Sequence, residues 1–161
     1  MMRPHEFLNA VRERAVARLP EELRGWRARV QYAALQAHYG NPRLHYEVWL
    51  VRKTGRIEIG LHIEAERETS RAWAAFLAAH ADDLRAAIGP GVELEDWTAS
   101  WSRLHETVPL GPLSEDLSDE VAARLAAIVA ATQPLLAEAG ANAARRRAAP
   151  GERRERWRQR G

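Results

Sequence analysis

Two histidines and two glutamates occupy matching positions in two neighbouring segments of this chain. His45 and Glu47 belong to the first segment, and His62 and Glu64 belong to the second. Imidazole and carboxylate groups are ligands for zinc, manganese and iron, and a metal site with an open position can activate water for hydrolysis. A glutamate beside a histidine can also fix its tautomer, so Glu47 and His62 are candidate catalytic residues for general acid–base chemistry.

These four side chains come together only if the two segments pair as a β-hairpin. Residues 44–52 and 56–66 both alternate apolar and polar side chains, and Lys53-Thr54-Gly55 lies between them as a turn. Burying both apolar sets on one face favours a register that pairs Leu50 with Ile59, Val48 with Leu61 and Tyr46 with Ile63.

On the other face, the same register sets Glu47 opposite His62, His45 opposite Glu64 and Trp49 opposite Gly60. Directly opposed Cβ atoms lie about 4.5–5.5 Å apart in an antiparallel pair. The hairpin at 44–66 therefore predicts a compact group of two imidazoles and two carboxylates, which we call the His/Glu cluster.

Three interpretations of the His/Glu cluster are open at this point. Opposite charges across a solvated antiparallel face stabilise the sheet by about 0.2–1 kcal/mol per pair without any further function. The four residues can instead bind a divalent metal or perform acid–base chemistry. The face can also bind a partner, because Trp49 and Val51 are apolar residues on its polar side.

Apolar residues recur at helical spacing on either side of the hairpin. They predict a helical hairpin over 1–40, with a second helix opening at Pro20 and ending near Tyr39. They also predict one helix over 70–88 and a last helix over 114–139. The last helix has Ser114 or Ser118 as its N-cap, and Pro134 is expected to kink or break its final turns.

Residues 92–108 are again strand-like, but their alternation slips near 100–102, which indicates a bulge or two short strands. Trp97 and Trp101 are expected to pack in the core. His105 and Glu106 would approach the His/Glu cluster if this segment pairs with the hairpin.

The resulting order, α-α-β-β-α-β-α, predicts an α+β fold. Residues 1–139 are expected to form a single domain with a small antiparallel sheet of three or four strands and helices packed on it. Whether the first two helices cover the Glu47/His62 face or extend the core at its side is open.

Composition limits the chemistry. The chain has 161 residues and no cysteine, which excludes disulfides, thiolate nucleophiles and cysteine-bound zinc. Signature motifs of nucleotide binding, zincin proteases and serine hydrolases are also absent. No apolar run approaches the roughly 20 residues of a membrane span, and charge comes too early for a secretory signal. A cytoplasmic protein without a membrane partner is expected.

Positive charge is concentrated at the C-terminus. Residues 140–161 carry eight arginines against two glutamates, whereas residues 1–139 carry 16 basic and 20 acidic residues. This composition predicts a basic, mobile tail, which either solubilises the protein or binds an acidic surface such as nucleic acid. The candidate contacts in the tail are three adjacent arginines and one tryptophan: Arg145, Arg146, Arg147 and Trp157.

Taken together, these features favour a small interaction domain without enzymatic activity and without a cofactor. It would bind a protein partner, or a second copy of itself, through the polar sheet face or the basic tail. Two alternatives remain: a metal-dependent hydrolase-type enzyme that uses the His/Glu cluster with a divalent metal, and a nucleic-acid-associated protein that binds through residues 140–161.

Overall fold

The computed structural model describes the backbone of residues 1–148 and the side chains of residues 1–140. The chain divides into two compact units, Met1–Ala131 and Thr132–Gly161, and the first contains every described strand. The elements are α1 (Pro4–Arg18), β1 (Arg27–Gln31), β2 (Ala34–His38), β3 (Leu44–Val51), β4 (Arg56–Ile63), α2 (Arg67–Ala78), α3 (Ala81–Ile88), β5 (Glu93–Asp96), β6 (Ser102–Pro109) and α4 (Glu115–Ala148).

The six strands form one antiparallel sheet with the order β1-β2-β3-β4-β6-β5. The predicted α+β class is confirmed, but three or four strands were too few. One face of the sheet is apolar and buried, as the alternation of the hairpin predicts. The central residues of this face are at most 4% exposed: Tyr46, Val48, Leu50, Ile57, Ile59, Leu61 and Ile63.

The predicted second helix over 20–39 is wrong. A short 3₁₀ turn, Glu21–Leu23, leads into the β1–β2 hairpin, whose turn places Tyr32 at a positive φ of 54°. Arg27, Arg29 and Gln31 alternate with small or apolar residues, so the segment carries a strand period beside its helical one. Pairing of β2 with β3 selects the strand over the helix, because strand formation depends on neighbouring strands more than on local preference.

The hairpin of β3 and β4 has the predicted faces but a register shifted by two residues. Leu50 pairs with Ile57, and His45 pairs with His62 rather than with Glu64. Residues 52–55 form a four-residue loop, closed by a hydrogen bond from Gly55 N–H to Arg52 O and completed by Gly55 at a φ of 65°. Glycine adopts this left-handed conformation without steric cost, which selects the observed loop.

The two later segments are each divided. The predicted helix over 70–88 is two helices, α2 and α3, separated at Ala79 and His80. Of the two alternatives predicted for 92–108, the structure has two strands, β5 and β6, but residues 97–101 join them rather than a break at 100–102. Trp97 and Trp101 lie in this connection, where Trp101 is 38% exposed, so the expectation that they pack in the core is wrong.

Helix α4 begins after Ser114, whose hydroxyl accepts a hydrogen bond from the Leu117 N–H, as expected of an N-cap. Pro134 does not end the helix, which extends beyond the predicted residue 139 to Ala148. By length and composition alone, Glu115–Gly140 would be long enough and apolar enough to cross a membrane, contrary to expectation. Val121, Leu125 and Ile128 are at most 1% exposed, and buried side chains of this kind give a core helix the same composition.

Helices pack on the apolar face of the sheet. Helix α1 contacts β1 and β2, and α2 contacts β4 and β6. Helix α4 reaches the same face, because Arg124 pairs with Glu106 and Glu106 lies opposite Ile59. The first two predicted helices therefore do not cover Glu47 and His62: one packs on the apolar face, and the other is replaced by two strands of the sheet.

Candidate metal site on the polar sheet face

All four residues of the His/Glu cluster converge on the polar face, despite the shift in register. His45 and His62 are paired across β3 and β4. Glu47 lies two residues after His45 on β3, and Glu64 directly follows the last residue of β4. The four nitrogen-to-oxygen distances between the imidazoles and the carboxylates range from 3.3 to 3.9 Å. Diagonal neighbours on a sheet lie within reach of long side chains, which explains why the cluster tolerates the two-residue shift.

His45 is 7% exposed, and its two ring nitrogens have different surroundings. Nδ1 lies 3.0 Å from the Pro42 carbonyl oxygen, which can only accept a hydrogen bond. Nε2 is buried and has no hydrogen-bond partner among the described residues, although it lies 3.8 Å from Glu64 Oε2 and 3.9 Å from Glu47 Oε2. When the ring is neutral, its proton therefore belongs on Nδ1, and Nε2 is the nitrogen with the free lone pair.

His62 has the complementary arrangement and is only 2% exposed. Its Nε2 lies 3.3 Å from Glu47 Oε2, within hydrogen-bond distance of an acceptor. Its Nδ1 is buried without a hydrogen-bond partner in residues 1–140 and lies 3.6 Å from Glu64 Oε1. The nitrogens without a hydrogen-bond partner in the two histidines thus both lie close to Glu64.

The electrostatics of the cluster favour a positive charge inside it. Burial disfavours the imidazolium form, but Glu47, Glu64 and the Pro42 carbonyl together outweigh this effect and raise the pKa of His45. Burial also acts to raise the pKa of Glu47, but the hydrogen bonds of His45 and Gln36 and the positive charges of His62 and His45 outweigh it and lower that pKa. Gln36 donates from Nε2 to Glu47 Oε1 at 3.1 Å.

The connection between β5 and β6 covers part of the cluster. The Trp97 ring meets His62 edge to face, with 4.9 Å between ring centroids. The Arg103 guanidinium lies 5.1 Å from the centroid of the Trp97 ring. The backbone N–H of Trp97 donates a hydrogen bond to the backbone carbonyl of Trp101. Trp97 therefore shields His62 from water, which explains how a histidine on a face without a helix is almost fully buried.

Three residues of the cluster have the composition of a metal site. His45, His62 and Glu64 each offer a ligand atom, and these atoms lie within 4.8 Å of one another. Donor atoms around tetrahedral zinc are about 3.4 Å apart, given bonds of about 2.1 Å. A small inward movement of the side chains would bring the three donors to that spacing.

A second group of candidate ligands, Glu93, Glu95 and His105, lies beside the first on β5 and β6. Its central carboxylate is already neutralised, because Arg103 donates from Nε to Glu95 Oε1 at 2.8 Å. That hydrogen bond is the main cause that lowers the pKa of Glu95. Arg103 also pairs with Glu58 at 3.1 Å, so a cation at this second group would lie next to a guanidinium.

The other predicted site residues have mixed outcomes. Trp49, 36% exposed, and the half-buried Val51 lie on the polar face as predicted. His105 joins this face because β6 pairs with β4, but Glu106 points to the helices. The basic-tail contacts lie outside the residues whose side chains are described, and they stay predictions: Arg145, Arg146, Arg147 and Trp157.

Several residues around the cluster were not predicted as part of a site. Gln36, Arg27 and Arg29 were assigned to a helix, so the sequence did not show that Gln36 lies beside β3 and the two arginines lie one strand further out. The alternation of polar residues through 27–31 was the available signal for a strand. Pro42 and Trp97 lie in connections, where no sequence period indicates which side chain faces the sheet.

Comparison with known proteins adds no functional information. No protein-family model matches the chain, and neither the curated proteins nor the solved structures give a significant match.

Proposed function

We propose that this protein is a metal-dependent enzyme of hydrolase type, in which His45, His62 and Glu64 bind a divalent cation. One observation carries the proposal. Each histidine has one ring nitrogen beside a fixed acceptor and a second, buried nitrogen that lacks a hydrogen-bond partner in the described part of the chain, and both of these nitrogens approach Glu64.

Histidines that bind metals usually donate their other N–H to a carboxylate or a backbone carbonyl, which fixes the ring orientation and makes the ligand more basic. Pro42 O has this role for His45, and Glu47 has it for His62. A buried polar atom without a partner costs about 1–3 kcal/mol. Both ring nitrogens of His105 also lack a hydrogen-bond partner in residues 1–140, so the distinguishing feature of His45 and His62 is that their unpartnered nitrogens approach one carboxylate. A cation bound by His45 Nε2, His62 Nδ1 and Glu64 would give a partner to both unpartnered nitrogens.

Three protein ligands leave at least one coordination position for water, which is typical of catalytic rather than structural zinc sites. His45 and Glu64 line a cavity of about 500 Å³, so this position would be accessible to a substrate. A metal ion there would lower the pKa of its bound water and supply a hydroxide nucleophile near neutral pH. The ligand set suits zinc first, and manganese or ferrous iron next.

The proposal is tested by metal analysis of purified protein and by calorimetric titration with Zn²⁺ and Mn²⁺. We expect one cation per chain, and His45→Gln and His62→Gln should each lose at least 100-fold in affinity. His105→Gln is the matched control, since it removes another buried histidine from the same face and should retain the affinity. Binding that is lost in the control, and retained in the other two variants, would contradict the proposal.

Hydrolysis is tested separately with p-nitrophenyl acetate and p-nitrophenyl phosphate. The metal-loaded protein should cleave at least one ester, with activity lost after chelation and restored by the metal. His62→Gln should reduce the rate at least 100-fold, whereas His105→Gln should not. A metal-loaded protein that cleaves neither ester would leave a metal site but remove the hydrolase assignment.

A partner-binding role for the polar face, with Trp49 at its centre, is a second proposal. The exposed aromatic residues Tyr32 and Trp49 line a second cavity of about 290 Å³ near the β1–β2 turn. Tyr32 is 89% exposed, and adjacent exposed aromatic side chains are enriched at protein interfaces. Size-exclusion chromatography of Trp49→Glu tests self-association, and an unchanged elution volume would exclude this face as a dimer contact.

A further inference from the structure

The cavity beside the candidate metal site is rich in hydrogen-bond donors. Its polar lining comes from β1, β2 and the cluster itself, and comprises Arg27, Arg29, Gln36, His38, His45 and Glu64. Glu64, the single carboxylate in this lining, is already assigned to the metal. The remaining chemistry of the cavity is therefore that of cationic and N–H groups.

Arg27 and Arg29 supply the positive charge. They occupy alternate positions of β1, so both side chains project from the same face of the strand. Arg29 donates to the neutral amide oxygen of Gln36 at 3.1 Å. Within residues 1–140, neither arginine forms an ion pair with a carboxylate, whereas Arg14, Arg103 and Arg124 all do.

His38 adds a further N–H donor. Its Nδ1 accepts a hydrogen bond from the Gly40 N–H at 3.0 Å, so the proton of the neutral ring is on Nε2. The amide nitrogen of Gln36 is used by Glu47 and does not compete for the same ligand. Two guanidiniums and one imidazole N–H thus remain available to a bound group.

We propose that this cavity binds a phosphate group of the substrate, next to the metal. The inference rests on the proposed function and names the substrate class for that site. Arginine matches the oxygens of phosphate with two parallel donors, and a phosphate monoester carries about two negative charges for two guanidiniums. Strand β1 lies two strand spacings, or about 10 Å, from β3. The long arginine side chains would span much of this distance, so that a phosphate could contact both the arginines and the metal.

The charge balance supports an anion over a neutral group. A divalent cation with Glu64, Arg27 and Arg29 would give the cavity a net charge of about +3, and a phosphate would neutralise most of it. Glu47 does not line the cavity, although it accepts a hydrogen bond from Gln36 and lies beside both imidazoles. If its charge is counted, the net charge is about +2, which still favours an anion.

The test is calorimetric titration of the Mn²⁺-loaded protein with phenylphosphonate, which cannot be hydrolysed, and with benzoate, which carries a carboxylate on the same ring. We expect phenylphosphonate to bind at least tenfold more tightly than benzoate. The double variant Arg27→Gln/Arg29→Gln should weaken this binding at least tenfold and leave the Mn²⁺ affinity within threefold of the wild type. Arg71→Gln, which removes an exposed arginine of α2, should change neither affinity.

The outcomes separate this inference from the metal assignment. Equal phenylphosphonate affinity in the wild type and the double variant would overturn the phosphate site, even if Mn²⁺ binds as expected. Tighter binding of benzoate would replace phosphate with a carboxylate. If Mn²⁺ does not bind at all, the metal proposal fails, and phenylphosphonate titration of the metal-free protein still tests the two arginines.

Discussion

The imidazole rings of His45 and His62 lie 5.3 Å apart between centroids and are close to parallel, at 23°. The two residues are direct partners on β3 and β4, the two middle strands of the sheet. Backbone hydrogen bonds therefore set the distance between the rings. Ligands held on rigid strands need little reorganisation to bind a cation, and this is the property that a functional metal site requires.

Glu64 and Glu47 should differ in their effect on metal affinity. Glu64 is a proposed ligand, whereas Glu47 supports the two imidazoles without binding the cation, and loss of such a supporting group typically costs 10–100-fold. We expect Glu47→Gln to fall in this range and Glu64→Gln to lose more, as measured by competition with a chromophoric chelator. Glu93→Gln, which removes an exposed acid of the same face, is the control. A larger loss for Glu47→Gln would reverse the two roles.

Gly60 should not tolerate a side chain. It lies between Glu47 on β3 and His105 on β6, and a Cβ atom there would be 2.5 Å from Leu104 O and 2.6 Å from His105 Cβ. Since backbone atoms cannot move aside, Gly60→Ala should lower the free energy of unfolding by about 1–3 kcal/mol or more, measured in urea. Gly111→Ala, where nothing lies within 4 Å, should change it by less than about 0.5 kcal/mol.

The pair of Glu106 and Arg124 should respond asymmetrically to mutation. Glu106 is 6% exposed beneath α4, whereas the Arg124 side chain is 41% exposed and also lies 3.4 Å from Glu120. Arg124→Leu leaves a buried carboxylate without its counter-ion and should cost about 1–3 kcal/mol. Glu106→Leu removes the buried charge itself, so its effect in urea unfolding should be smaller. Equal losses would show that the pair acts only through its mutual attraction.

Acidification should destabilise the fold partly through His105. Burial, and then the Arg103 guanidinium, lower the pKa of His105 from 6.5, and the carboxylates of Glu95 and Glu58 only partly offset this. Below about pH 6.5 the unfolded chain binds a proton that the folded His105 resists, so this stabilisation is present above pH 6.5 and is lost on acidification.

Urea unfolding at pH 8 and pH 5.5 measures this effect. His105→Gln should lose less stability between the two pH values than the wild type, by no more than about 1.4 kcal/mol per pH unit for a single group. Because other groups titrate in both proteins, the difference between them isolates His105. Identical losses would show that His105 takes up its proton in the folded state.

The faces of the central hairpin could be predicted from the sequence, but its register could not. Burial depends on a period of two, so pairing Leu50 with Ile57 or with Ile59 buries the same side chains. Only the conformation of the loop distinguishes the two registers, and it depends on Gly55 at positive φ. The His/Glu cluster survives this error because a shift by two residues leaves every side chain on its own face.

Strands β1 and β2 could not be predicted, for a different physical reason. Ala28, Val30, Leu35 and Ala37 fit a helical stripe as well as a strand, and neither element is stable without the adjacent β3. Long-range pairing therefore decides the local conformation. The predicted site accordingly lacked Gln36, Arg27 and Arg29, which lie near it only because β1 and β2 extend the sheet beside β3.

Strand β1 pairs with β2 alone, whereas β3 and β4 each have partners on both sides. An outer strand opens more readily than an inner one, so amide hydrogens of β1 should exchange sooner than those of β3. The proposed ligands His45 and His62 thus belong to the slowly opening centre of the sheet, whereas Arg27 and Arg29 belong to an edge strand that can adjust. This edge strand could accommodate substrates of different size without disturbing the geometry at the proposed metal site.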